Sequence, residues 1–179
     1  MEFKDLGSSG DGGGSFIRLK KDGESVKGVF QGNPYDYKQH WGDNKKTICI
    51  GMGCALCRAG DTPRFRFRIN FIIKENGAYT AKIWEQGITA YKDLSGLNKT
   101  LQEEGYKLDE YLVKITRSGL GKEDTSYPII AVPGGALDAV RVSEIKKVKL
   151  LPLNGDQKPA QDQGFDQGAP MPDDSETPF

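Results

Sequence analysis

The sequence predicts a mainly β domain with one helix, framed by two segments unable to pack a core, and three observations predict it. Residues 64–74 (RFRFRINFIIK) alternate Phe65, Phe67, Ile69, Phe71 and Ile73 with Arg64, Arg66, Arg68 and Asn70, the period of a β-strand with one apolar and one cationic face. Further β-branched and aromatic runs are bounded by Gly and Asp turn signals. Residues 7–15 (GSSGDGGGS) and 154–179 hold almost nothing to bury. The 179 residues allow one ordinary domain: a Gly/Ser-rich flexible arm at 1–15, a folded body at 16–153 and an acidic, disordered tail at 154–179.

The elements follow in order. Residues 16–31 (FIRLKKDGESVKGVFQ) read as a long strand, curved or broken, with a turn signal at Asp22-Gly23 and an interior Gly28 where it can bend. Residues 33–63 lack clear periodicity and read as an insertion carrying cysteines and a histidine. After the alternating strand, Glu75-Asn76-Gly77 suits a three-residue hairpin loop, and residues 78–85 return as the partner strand. That loop pairs Ile73 with Tyr79, Phe71 with Ala81 and Ile69 with Ile83 on the buried face, leaving Asn70 opposite Lys82 and Arg68 opposite Trp84 outside. Residues 88–104 place Ala90, Leu94, Leu97 and Leu101 at helical spacing before Gly105. Residues 111–117 and 126–132 read as two more strands, and 140–153 as a final extended or short segment. The order β, β, β, α, β, β is that of the OB-fold, a five-stranded barrel whose second and third strands commonly present a nucleic-acid surface.

Charge is segregated along the chain. The 25 basic and 25 acidic side chains cancel, yet residues 154–179 hold six carboxylates against Lys158, a net −5, so the body carries +5. A basic body suits a polyanion, and the tail suits a basic partner or the body itself. No run approaches the roughly 18 apolar residues of a membrane helix, and Glu2 and Asp5 stand where an export signal would be basic and then apolar. The expectation is a soluble, cytoplasmic protein with no membrane partner.

The expected outer face of the hairpin gathers Arg66, Arg68, Asn70, Lys82 and Trp84, with Arg64 beside them. Cations meet phosphates and a flat indole meets an unstacked base; the same pattern also describes a solvated polar face that protects an edge strand, with Trp84 in a second small core. Tyr35, Tyr37 and Trp41 lie among Lys38 and His40, the mixture a single-strand groove needs, although such rings also suit the end of a barrel. Lys114, Arg117 and Lys122 are further candidates for phosphate contact. All three cysteines and the only histidine fall in one short stretch, as His40, Cys49, Cys54 and Cys57. Cys-x-x-Cys is a common half-site for tetrahedral zinc, and one structural zinc would staple the insertion; buried free thiols in a reducing cytoplasm are the alternative. No carboxylate pair or His partnership supports catalysis, and Gly119-Leu120-Gly121-Lys122 lacks the spacing of a phosphate loop.

The tail DDSETPF resembles the acidic, Pro-Phe-ended tail of bacterial single-stranded DNA-binding proteins, and the phage T7 equivalent also closes on an acidic stretch with Phe. KIWEQG at 82–87 and ITRSGLGKEDTSYPI at 115–129 resemble phage OB-fold members, with Asp124, Thr125 and Tyr127 matching their Gly-Lys-Asp-Thr-Tyr pattern with insertions. The His40, Cys49, Cys54 and Cys57 group is similar, at shorter spacing, to the Cys₃His zinc site of the T4 phage single-stranded DNA-binding protein. The resemblance to phage single-stranded DNA-binding proteins implies sequence-tolerant coating of exposed strands in replication, recombination or repair. It also implies recruitment of replication or recombination proteins by a tail motif at Asp173, Asp174, Glu176, Pro178 and Phe179. A zinc-stapled protein-interaction or transcription-regulating module is the other expectation the residues allow.

Overall fold

A computed structural model describes residues 15–42, 45–121 and 124–154; the expectations for the arm, the tail and Lys122 lie outside the described residues. The elements are β1 (Ser25–Gly42), β2 (Lys45–Ile48), α1 (Ala55–Arg58), β3 (Arg64–Glu75), β4 (Ala78–Gly87), α2 (Ile88–Glu103), a 3₁₀ turn (Leu108–Glu110), β5 (Tyr111–Thr116), β6 (Ile129–Ala136) and α3 (Ala139–Lys146). The strands form one antiparallel, six-stranded sheet in the order β4-β3-β1-β5-β6, with β2 on the far half of β1. The expected five-stranded barrel is not closed. End strands β4 and β6 share no ladder; α2 packs against both of them, so side chains rather than backbone hydrogen bonds span the gap.

β1 differs from expectation in extent. Residues 16–24 are a lead-in that touches β4 through one bridge, Phe16 to Ile83, and the strand instead continues through Pro34, Tyr35, Tyr37 and Trp41. The supposed long connection at 33–63 is therefore strand, hairpin and short helix. Gly28 marks the handover of β1 from β5 to β3. A Cβ there would stand 2.4 Å from the Ile72 carbonyl oxygen and 2.6 Å from the Phe71 ring, so only glycine lets the strands approach this closely.

The β3–β4 hairpin overturns the expected register. Asn76 and Gly77, at φ 50° and 83°, make a two-residue turn with both central residues left-handed, the form whose twist matches the flanking strands. Glu75 thus pairs with Ala78, Phe71 with Lys82, Asn70 with Ile83, Ile69 with Trp84 and Arg68 with Glu85. A three-residue loop keeps all apolar residues on one face, but this hairpin has two covered faces. One carries Phe30, Phe67, Ile69, Phe71, Trp84, Val113 and Ile115 beneath Ala90 and Leu94 of α2. The other carries Val29, Ile72 and Ala81 beneath Ile145 of α3 and half-buried Val148 and Leu151. α3 replaces part of the expected extended segment, begun by the Asp138 side chain accepting from the Arg141 N–H at 2.9 Å. α2 matches its expectation, burying Ala90, Leu94 and Leu101. No helix among the described residues is long and apolar enough to cross a membrane.

Candidate functional site

Alternation along β1 divides two chemistries. His40 faces one side of the ribbon and meets the loop that follows β2, where Cys49 precedes α1, Cys54 caps it and Cys57 lies within it. The four donor atoms lie within 4.8 Å of one another. Cys54 Sγ and Cys57 Sγ are each 3.4 Å from His40 Nε2, and Cys49 Sγ is 3.5 Å from Cys57 Sγ. Around a tetrahedral zinc the corresponding edges are ~3.5 Å for sulfur to nitrogen and ~3.8 Å for sulfur to sulfur. The cluster could therefore hold a metal ion such as zinc. Asp61 was not singled out from sequence, yet its Oδ2 lies 2.8 Å from His40 Nδ1, the outer carboxylate that leaves Nε2 aimed at a metal.

The thiols are polarised for the same task. The Cys57 N–H draws the Cys54 pKa down to about 6, against burial and with help from the N–H groups of Leu56 and Ile50. The Gly51 N–H lowers Cys49, while Cys57, hydrogen-bonded first to Cys49, is pushed up to about 11. Burial works against protonation of His40, but hydrogen bonds led by Asp61 leave its pKa raised. Three sulfurs and an imidazole converging on one centre share a proton load that a divalent cation relieves.

The opposite side of the ribbon carries the cationic and aromatic residues. Tyr35 pairs with Arg68, Tyr37 with Arg66, Gln39 with Arg64 and Trp41 with Lys46, and directly opposed residues share a face. Tyr35 and Tyr37 are stacked at 6.0 Å, and Lys46 lies 5.5 Å over the Trp41 ring. Trp41 is 54% exposed, Arg64 is exposed, and Tyr35 and Arg66 are half-buried; Tyr37, expected from sequence to stack on a base, is instead 8% exposed and closed off by Arg68. Arg68 is only 6% exposed: its guanidinium lies 5.0 Å over the Tyr37 ring, donates from Nε to Glu85 at 2.7 Å and from Nη1 to the Leu153 carbonyl at 3.1 Å. Burial raises the Tyr37 phenol and the Glu85 carboxylate adds to it. For Glu85 itself burial is outweighed by Arg68, and its pKa falls.

The expected hairpin patch is thus divided. Trp84 is 1% exposed and packs at 5.6 Å from both Phe30 and Phe67, because the two-residue turn rotates it onto the core side. Lys82 shares that side, 3.6 Å from Glu75. Asn70 is buried, exchanging hydrogen bonds with the backbone of Leu151 at 2.9 and 3.1 Å; this is a structural clasp for the C-terminal segment, not a surface group. Lys114, opposite Lys27, is half-buried on the β5 half of the sheet, whereas Tyr35 pairs with β3. Arg117 is spent on Leu19 and Thr125, at 3.1 and 3.3 Å, where it braces the β5–β6 loop. Sequence reasoning missed Lys46 and Glu85; the alternation of β1 across Tyr35, Tyr37 and Trp41 was the available signal for Lys46's neighbours. Comparison with protein-family models, curated proteins and solved structures finds no match.

Proposed function

We propose that this chain binds single-stranded DNA without reading its sequence, protecting exposed strands during phage replication, recombination or repair in the cytoplasm of a bacterial host. The observation that carries the reading is the clustering of exposed Trp41 and half-buried Tyr35 with Arg64, Arg66 and Lys46 on one face of the β1–β2–β3 ribbon, with Tyr37 buried beneath Arg68 as their support. Rings accept bases of any identity, and cations take the phosphates with strong salt dependence. The strand path β4-β3-β1-β5-β6, with α2 between β4 and β5, follows that of an OB-fold opened at one seam, which supports the same reading. Zinc at His40, Cys49, Cys54 and Cys57 has a structural role here, and no residue is assigned a covalent step. Asp173, Asp174, Glu176, Pro178 and Phe179 form the motif for recruiting replication or recombination proteins.

A second reading is favoured by the metal loop itself, where Ile50 and Met52 are exposed apolar side chains: a zinc-stapled module that docks on a protein partner or regulates transcription. Gel shifts with single-stranded and duplex DNA at two salt concentrations separate the readings. Strand coating gives tight, salt-sensitive binding of the single strand over the duplex; equal affinity for both, or none, refutes it.

A further inference from the structure

β1 carries an irregularity that no part of the strand-coating face explains. Between Gln31, opposite Asn70, and Tyr35, opposite Arg68, it takes four residue steps while β3 takes two. Gly32, Asn33 and Pro34 are thereby pushed out of the ladder, and a cavity of about 450 Å³ opens between this bulge and α2, within the size range of small-ligand pockets. Phe30, Ile69 and Leu94 make an apolar floor, and Tyr91 stands beside it, held edge-on by Phe65 and Phe67 at 5.3 and 5.2 Å. The rim is of a different kind: Asn33 from the bulge, Ser95, Asn98 and Gln102 from α2, and the two charged residues Lys107 and Asp109. The three carboxamides make no side-chain hydrogen bond among the described residues.

We propose that this cavity receives one unstacked nucleobase carrying an exocyclic amino group, cytosine or adenine; the inference rests on the single-strand reading above. An apolar floor with an aromatic wall suits the faces of a flat heterocycle, and carboxamides offer donor and acceptor side by side, as a base edge requires. Asp109 on the rim favours a base that brings an amino group over one that presents a carbonyl in its place, while Lys107, the other charge there, is paired with Glu110 at 3.5 Å. Position supports the same occupant. Pro34 borders the cavity and Tyr35 follows it on the cationic face, so the bulge is a wall common to both sites. A strand stacked on Trp41 and passing over half-buried Tyr35 reaches this wall, and its next nucleotide can turn over it. The body is then sequence-tolerant along the face and selective at one position.

Side-chain amide resonances of ¹⁵N-labelled full-length protein, titrated with dCMP, dTMP or deoxyribose 5-phosphate, test the proposal. Asn33, Asn98 and Gln102 should shift saturably with dCMP, more weakly with dTMP and not with the sugar phosphate. The Asn98→Ala/Gln102→Ala double variant, whose changes favour the helix, should keep its fold and lose roughly tenfold in affinity for oligo-dC while binding oligo-dT as before. Silent amides, or wild-type affinity of the double variant for oligo-dC, overturn the pocket. Trp41→Ala separates the two claims. If it weakens oligonucleotide binding while the amides stay silent, the pocket fails alone. If the unaltered protein binds no oligonucleotide but dCMP shifts the amides, strand coating fails and the pocket stands.

Discussion

The two tryptophans have opposite fates, and substituting each in turn tests the placement of the whole site. Trp84 is 1% exposed, wedged against Phe30 and Phe67; truncating a buried aromatic of this size costs about 3–5 kcal/mol through lost transfer energy and the cavity left behind. Trp84→Ala should lower the melting temperature by about 10 °C or more. Trp41, 54% exposed, has little to lose beyond its contact with Lys46, so Trp41→Ala should change stability by only about 0.5 kcal/mol. If one base stacks on its ring, at ~1–3 kcal/mol, the dissociation constant for a single strand should rise roughly 5- to 150-fold. Thermal melts and fluorescence-anisotropy titrations measure the two effects independently. The gentler Trp84→Phe leaves Trp41 as the sole indole, whose emission should be quenched by an oligonucleotide. A marginal effect of Trp84→Ala on stability would refute the hairpin register; an unquenched Trp41 that can also be deleted without loss of binding would refute the interface.

Other outcomes follow from the same geometry. Metal analysis of purified protein should give one zinc per chain, and a strong chelator should release it together with loss of the β2 hairpin's protection against proteolysis; retention of that protection without metal would remove the structural role of the cluster. Glu85 has its folded pKa depressed below the unfolded value, chiefly because Arg68 overcomes the effect of burial. Its stabilisation is therefore complete above the unfolded pKa, near 4.5, and is lost as pH falls through the folded one, so urea midpoints should decline below about pH 4.5. In Glu85→Gln that acid-dependent decline should be shallower and the neutral-pH stability lower. Deleting residues 170–179 should raise apparent affinity for single strands at low salt by removing an attached competitor; unchanged or weaker binding would show that the tail does not visit the cationic face.

Legibility varied with how many faces of an element are covered. α2 was readable because one apolar stripe, Ala90, Leu94, Leu97 and Leu101, faces the core and Gly105 ends it. The hairpin was not, for a physical reason. Alternation assigns a register only when one face is wet, and β3 has Phe71 under α2's side of the sheet and Ile72 under α3's. The residues that cover the second face, Ile145 and Leu151, lie some seventy positions downstream, beyond any local pattern. Asn76-Gly77 was the better signal, since its turn chemistry acts within two residues and owes nothing to distant partners.

The same consideration explains why both halves of the site lay in what read as a loop. QGNPYDYKQHW has the proline and glycine of a turn, yet its period is two: Tyr35, Tyr37 and Trp41 on one side, Lys38 and His40 on the other. A strand with rings and cationic neighbours on one face and a potential metal ligand on the other has no apolar face to announce it. Nor can the two faces move independently, because His40 and Trp41 are adjacent on one backbone. A metal that fixes His40 also fixes the plane from which Trp41 and, through the β1–β2 ladder, Lys46 project. Without it, β2, whose own residues are exposed or half-buried, is held to the ribbon by a short ladder and by Lys46 against Trp41 and Glu85, too little apolar burial to order a four-residue edge strand. Loss of the metal should thus cost strand affinity specifically through Trp41 and Lys46, while Arg66 and Tyr37, anchored by β3 and Arg68, keep their places.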